Sequence, residues 1–327
     1  MRDWPGHLVS TPSGGVFVRH DPPPRDGIGG ELLEPAVFVH GLGGESLDWA
    51  EVAAMLADRV DGHALDLPGF GESPPPAHGE LSLDAHAAAV VDVITAIDRG
   101  PVHLVGNSLG GSVVTRVAAE HPDLVKTLAL VSPALPDLRP RLWSWQLLVT
   151  LLPVVGTRLV DLALRGDPDK MASRIFWLCY GDPHAVTDRR RAEVVAAACR
   201  RAELSYSGTV YRSSLRSLVS AYVQFGRRRL WRQAKRVSAP TLLVYGGRDK
   251  LVDPRMAKRA EATFPNAHTV LMLDAGHVAH LEFPDRVAAT LRDFLDGARI
   301  GEWRAPVGPL SAVTRRATGA RADRRPP

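Results

Sequence analysis

A short apolar run that ends in Gly-x-Ser-x-Gly and passes straight into a helical pattern leaves a chain few ways to fold. Here Val102-His103-Leu104-Val105 leads into Gly106-Asn107-Ser108-Leu109-Gly110-Gly111, and Ser112 to Ala119 continues with helical character. A strand that reverses into a helix within so few residues holds the central one in a sparsely populated backbone conformation. Its hydroxyl is then projected from the sheet, toward the first amides of the new helix, whose dipoles favour a developing negative charge. Ser108 is the candidate nucleophile on these grounds. Alone the pattern is weak, because glycine-rich turns between strand and helix also occur as purely structural devices.

The rest of the chain supplies the context. Leu8 to His20 alternates around Pro12-Ser13-Gly14-Gly15, as an edge hairpin would. Asp21 to Pro35 has loop composition, and Ala36-Val37-Phe38-Val39 is an apolar strand running into His40-Gly41-Leu42-Gly43-Gly44. Trp49, Val52, Ala53, Leu56 and Val60 are spaced for one face of a helix. A weaker strand at His63 to Leu67 ends in Pro68-Gly69-Phe70-Gly71-Glu72-Ser73, and Ser82 suits the N-cap of the Ala- and Val-rich helix that follows. Thr127 to Val131 is a further strand. Alternation then stops for about 100 residues and resumes at Thr241 to Gly246, the helix around Met256 to Phe264, the strand Thr269 to Leu273 and a last helix from Pro284 to Gly297. Uninterrupted apolar strands alternating with helices predict an α/β fold with a mostly parallel sheet covered on both faces.

Charge divides the chain the same way. Residues 1–136 carry 7 Lys and Arg against 18 Asp and Glu, whereas residues 137–236 carry 19 against 8. The expected organisation is a core of 1–136 and 237–297, a helical insertion at 137–236 and a disordered basic tail at 298–327. Two cysteines, Cys179 and Cys199, offer neither a disulfide framework nor a metal pattern. The twelve histidines show no ligand spacing such as His-Glu-x-x-His, so neither metal nor cofactor is expected. The N-terminus lacks a secretion-signal layout, and the apolar stretch from Leu142 to Val155 is shorter than the roughly 20 residues that span a bilayer. A cytoplasmic location is the expectation. The arginines bring no recognisable nucleic-acid motif, so no nucleic acid is expected; a peripheral contact of the basic segment with an anionic membrane stays open.

Ligands of an open parallel sheet bind at the carboxyl ends of its strands. Those ends carry His40 to Gly44, Ser108, Gly246-Gly247-Arg248-Asp249 and Asp274-Ala275-Gly276-His277. Ser108 needs a base, which His277 provides, and Asp249 would fix the imidazole tautomer. Asp253 and His280 are close enough in sequence to compete for those roles, and His40 reads as structural. The backbone N–H groups of Leu109 and of Leu42 would face the oxyanion.

These motifs, with Asp66-Leu67-Pro68-Gly69-Phe70-Gly71-Glu72-Ser73, resemble the α/β-hydrolase superfamily over roughly 1–136 and 237–297. The resemblance implies the α/β-hydrolase fold, with a helical cap inserted between the sixth and seventh strands, where the basic segment lies. Dehalogenases and epoxide hydrolases of that fold carry Asp at the elbow, unlike Ser108. Carbon–carbon bond hydrolases of ring-cleavage products share Gly-Asn-Ser-Leu-Gly-Gly, but usually have Gly-Pro-Gly in the first loop and Trp after the histidine; here Leu42-Gly43-Gly44 and Val278 stand there. The expected activity is hydrolysis of a small to medium hydrophobic carboxylic ester. Carbon–carbon bond hydrolysis and a non-hydrolytic ligand receptor on the same fold are the alternatives. Trp143, Phe176, Trp177, Tyr206 and Tyr222 are the candidate pocket residues.

Overall fold

The computed structural model describes residues 4–12, 14–21, 32–137, 149–152, 154–164, 166–299 and 311–313. Among these residues nine strands form one sheet: β1 (Gly6–Thr11), β2 (Gly14–His20), β3 (Glu34–Val39), β4 (Val60–Leu65), β5 (Val102–Asn107), β6 (Val125–Val131), β7 (Thr241–Gly246), β8 (Ala267–Met272) and β9 (Ser311–Val313). Their spatial order is β1-β2-β4-β3-β5-β6-β7-β8-β9. The β1–β2 hairpin pairs antiparallel with β4, and every pairing from β4 to β9 is parallel. β9 falls in the tail at 298–327 that was expected to be disordered. Residues 300–310 and 314–327 lie outside the described set.

The continuous apolar strands are explained by burial on both faces. Val37 and Val39 of β3, Leu104 of β5 and Leu128 and Leu130 of β6 pack in one core with α2 (Leu83–Ile97) and α3 (Leu109–Glu120). Ala36, Phe38, Val105, Ala129 and Val131 alternate with them, facing a second core against α1 (Ala50–Met55). The period of two thus points successive side chains into opposite layers. Ser82 caps α2 by accepting from the Ala85 N–H at 3.0 Å. The helical pattern that runs from Trp49 to Val60 is shorter than its apolar spacing suggests. A 3-10 turn over Ser46–Trp49 leads into α1, and Val60 instead opens β4, where a buried strand also demands an apolar residue.

Between β6 and β7 the described residues form α4 (Val155–Leu164), α5 (Pro168–Cys179), α6 (Asp188–Glu203), α7 (Ser207–Tyr222) and α8 (Leu230–Ala234). No strand interrupts them among the described residues. α9 (Met256–Glu261), α10 (Ala279–Glu282) and α11 (Pro284–Arg299) complete the fold, and α11 buries Val287, Leu291 and Phe294 in the second core. No helix among the described residues is long and apolar enough to cross a membrane.

Candidate active site

The turn after β5 has the geometry that its sequence demands. Ser108 adopts φ 52° and ψ −115°, a positive φ that costs a non-glycine residue on the order of 1–3 kcal/mol. Backbone bonds hold it there: its N–H donates to the Val131 carbonyl at 3.1 Å, and its carbonyl accepts from Ala134 at 3.0 Å. A Cβ at Gly106 would lie 2.7 Å from the Gly110 carbonyl oxygen, so the tight reversal excludes any larger residue. Leu109 begins α3 directly behind Ser108 and is fully buried.

Asp249 and His277 come from the loops after β7 and β8. Asp249 is fully buried. Its Oδ1 accepts from the N–H groups of Leu251 (2.8 Å) and Val252 (2.9 Å), which leaves Oδ2 for His277 Nδ1 at 2.9 Å. Backbone amides therefore aim the carboxylate before the imidazole meets it. Asp253, the competing carboxylate, is tied instead to the Arg255 guanidinium. His280 is buried and stacked on Trp49 with ring centroids 4.2 Å apart, and burial pushes it down to about 3. His40 donates or accepts at both ring nitrogens, meeting the Gly41 carbonyl at 2.7 Å and the Leu67 N–H at 2.9 Å; burial brings it to about 4. It organises the loop and is kept neutral.

That loop passes directly over the elbow. A Cβ on Gly41 would fall 2.8 Å from Asn107 Oδ1 and 3.3 Å from Ser108 Cβ, which brings the segment carrying Leu42 against the serine. Asn107 joins the three loops, its Nδ2 donating to the Val131 carbonyl at 2.9 Å and to the His277 carbonyl at 3.2 Å. The motif after β4 works from below. Asp66 accepts from the N–H groups of Ser46 and Glu72, and the Ser73 hydroxyl donates to the Asp66 carbonyl at 2.7 Å.

Several residues of the site are silent in the sequence. Glu282 accepts from the N–H groups of Gly276 and Gly181, both at 2.7 Å, so one carboxylate joins the histidine loop to the end of the inserted α5. Burial lifts its pKa to about 7. The His277 N–H donates to the Cys179 carbonyl at 2.7 Å, a second link to the same place. Arg201 of α6 donates to the Gly43 carbonyl, and the Tyr211 ring lies against Gly43 from α7.

The pocket candidates occupy different surroundings. Phe176 is buried, its ring edge-on to Tyr180 at 5.1 Å and under the Arg191 guanidinium; it belongs to a small core with Ala172 and Tyr180, against which Val278 and Leu281 pack from beyond His277. Trp177 is 41% exposed, with the Lys250 ammonium over its ring at 4.6 Å. Tyr206 and Tyr222 pack against the main core, and burial raises both hydroxyls. Trp143 lies outside the described residues.

Residues 36–290 match the model of the alpha/beta hydrolase family. The chain is 27% identical to the dihydrolipoyllysine-residue acetyltransferase component of the acetoin cleaving system of Pseudomonas putida, over 82% of this chain and 65% of that protein. It thus spans about two thirds of that relative's length. It is 28% identical to a pimeloyl-[acyl-carrier protein] methyl ester esterase of Neisseria meningitidis serogroup C, over 82% of this chain and 95% of the esterase. Its fold matches the crystal structure of a bacterial membrane phospholipase A with a TM-score of 0.73 at 23% identity, covering 90% of this chain and 86% of that one.

Proposed function

This chain belongs to the alpha/beta hydrolase family, and from that premise we propose that it is a serine hydrolase of carboxylic esters. Ser108 is the nucleophile, His277 the general base and then acid, and Asp249 the carboxylate that orients the imidazole. The observation that carries this reading is the 2.9 Å bond from His277 Nδ1 to Asp249 Oδ2, with Ser108 held at positive φ on a loop that Asn107 ties to His277.

With Nδ1–H committed to Asp249, the free nitrogen of His277 is Nε2, the atom that must take the Ser108 proton. Attack by Oγ on an ester carbonyl gives a tetrahedral oxyanion, faced by the N–H groups of Leu42 and Leu109. His277 returns its proton to the leaving alcohol, leaving an acyl group on Ser108. Water, deprotonated by the same Nε2, then releases the acid. The esterase and phospholipase likenesses support a hydrophobic acyl substrate of small to medium size. The helices between β6 and β7 act as a cap in this reading, since Glu282, His277 and Gly43 are each joined to them. Several of their arginines bear on the core: Arg200 pairs with Glu45 at 2.6 Å, and Arg189 and Arg190 both pair with Glu51.

Turnover of short and medium acyl p-nitrophenyl esters by wild type and Ser108→Ala tests the proposal. Hydrolysis by wild type and none above background by the variant is expected; equal rates would overturn it.

A further inference from the structure

A second constellation lies at the other end of the parallel strands, near the start of β4. β2 and β4 pair antiparallel with His20 directly opposite His63, and Asp61 precedes His63 by two residues. Residues two apart on a strand share a face, so all three side chains meet there. The imidazoles stack with centroids 4.0 Å apart and planes 14° apart. His20 Nε2 is 2.8 Å from Asp61 Oδ1, and His63 Nε2 is 3.4 Å from Asp61 Oδ2. One ligating atom from each residue lies within 4.8 Å of the others.

Two features separate this cluster from an ordinary surface ion pair. Asp61 and His63 are 3% and 7% exposed. His63 Nε2 is buried beside the carboxylate yet makes no hydrogen bond, a costly state for a polar nitrogen.

We propose that His20, Asp61 and His63 bind a divalent transition cation of the zinc class. Two imidazole nitrogens and one carboxylate oxygen suit Zn(II) or Co(II) and not Mg(II) or Ca(II), which prefer oxygen donors. The remaining position is open to water. Coordination moves the His20 proton from Nε2 to Nδ1 and satisfies the orphaned nitrogen of His63. The cation joins β2 to β4, so it stabilises the attachment of the edge hairpin to the sheet. Its competitor is Arg99, whose guanidinium touches Asp61 Oδ2 and also donates to the Leu33 carbonyl. Arg99 is about one third exposed and can swing away, or hold Oδ2 while Oδ1 ligates.

The test is titration of untagged, chelator-treated protein with Zn(II) and Co(II). It is followed by metal analysis after dialysis and by the visible absorption of bound Co(II). Wild type is expected to take one equivalent. His20→Ala, at the partly exposed edge, and Asp61→Asn weaken binding by at least about tenfold. Arg99→Ala removes the competing cation and tightens binding, which a purely structural role for the cluster does not predict. Ester hydrolysis and the far-ultraviolet circular dichroism of His20→Ala and Arg99→Ala stay at wild-type values, which separates loss of the site from loss of the fold. Absence of saturable binding in both wild type and Arg99→Ala would overturn the proposal. So would binding indifferent to His20→Ala and Asp61→Asn.

Discussion

The loops at the strand ends and the helices inserted between β6 and β7 are held by different forces. Asp249, His277 and Ser108 are fixed by backbone: amides aim the carboxylate, a carbonyl and an amide frame the serine, and Asn107 ties its loop to that of His277. The insertion meets the core partly through apolar side chains such as Val210, Leu218 and Leu230 and partly through arginines, with Arg200 on Glu45, Arg189 and Arg190 on Glu51 and Arg201 on the Gly43 carbonyl. At these ion pairs the basic segment of the chain meets the acidic one. Buried backbone hydrogen bonds keep their geometry in salt, whereas half-exposed ion pairs are screened. In the proposed mechanism the triad rests on the first kind of contact, and the seating of the insertion partly on the second.

That contrast is broken most severely at the nucleophile. Ser108→Ala should lower kcat on p-nitrophenyl esters by on the order of 10^4- to 10^6-fold, with folding unchanged by circular dichroism. Asp249→Asn should cost about 10^4-fold by freeing the wrong imidazole tautomer. Asp253→Asn, whose partner is Arg255, should stay within about twofold in the same assay. The junction gives a smaller effect: Arg201→Ala releases the Gly43 carbonyl and should lower kcat by about tenfold, more than it raises KM, because the loop carrying Leu42 loses its hold from above. Molar salt should reproduce part of that loss in wild type and little in the variant.

The smallest effect is on stability. Burial takes His280 to about 3, far below its value in an unfolded chain. Below pH 6.5 the unfolded chain therefore takes up a proton that the folded one refuses until about pH 3. This contribution to stability is present above pH 6.5 and is lost as the pH falls through that window. His280→Phe, which keeps the stacking on Trp49, should lose less thermal stability than wild type between pH 6.5 and 4.

How much the sequence revealed follows the same division. The elbow, the strand ends and the order Ser108, Asp249, His277 were legible because each depends on a few adjacent residues with sharp backbone requirements. The helix over Trp49 to Val60 was drawn too long because a buried strand and a helix face both call for an apolar Val60. Arg201, Tyr211 and Glu282 were not legible, since they look like ordinary helix residues and their partners lie far away in sequence or on another element. That Phe176 packs with Ala172 and Tyr180 was not legible, because an aromatic residue in an insertion can fill a core as well as line a cleft. The pairing of His20 with His63 depends on strand register, which spacing along the chain does not show.

The central claim, that Ser108 is a nucleophile activated by His277 and Asp249, is tested most directly by a serine-directed fluorophosphonate and peptide mapping by mass spectrometry. The folded wild-type protein should carry a single adduct on Ser108, formed far more slowly in Asp249→Asn and absent from Ser108→Ala. No adduct on folded wild type, or one on another residue that persists in Ser108→Ala, would contradict it.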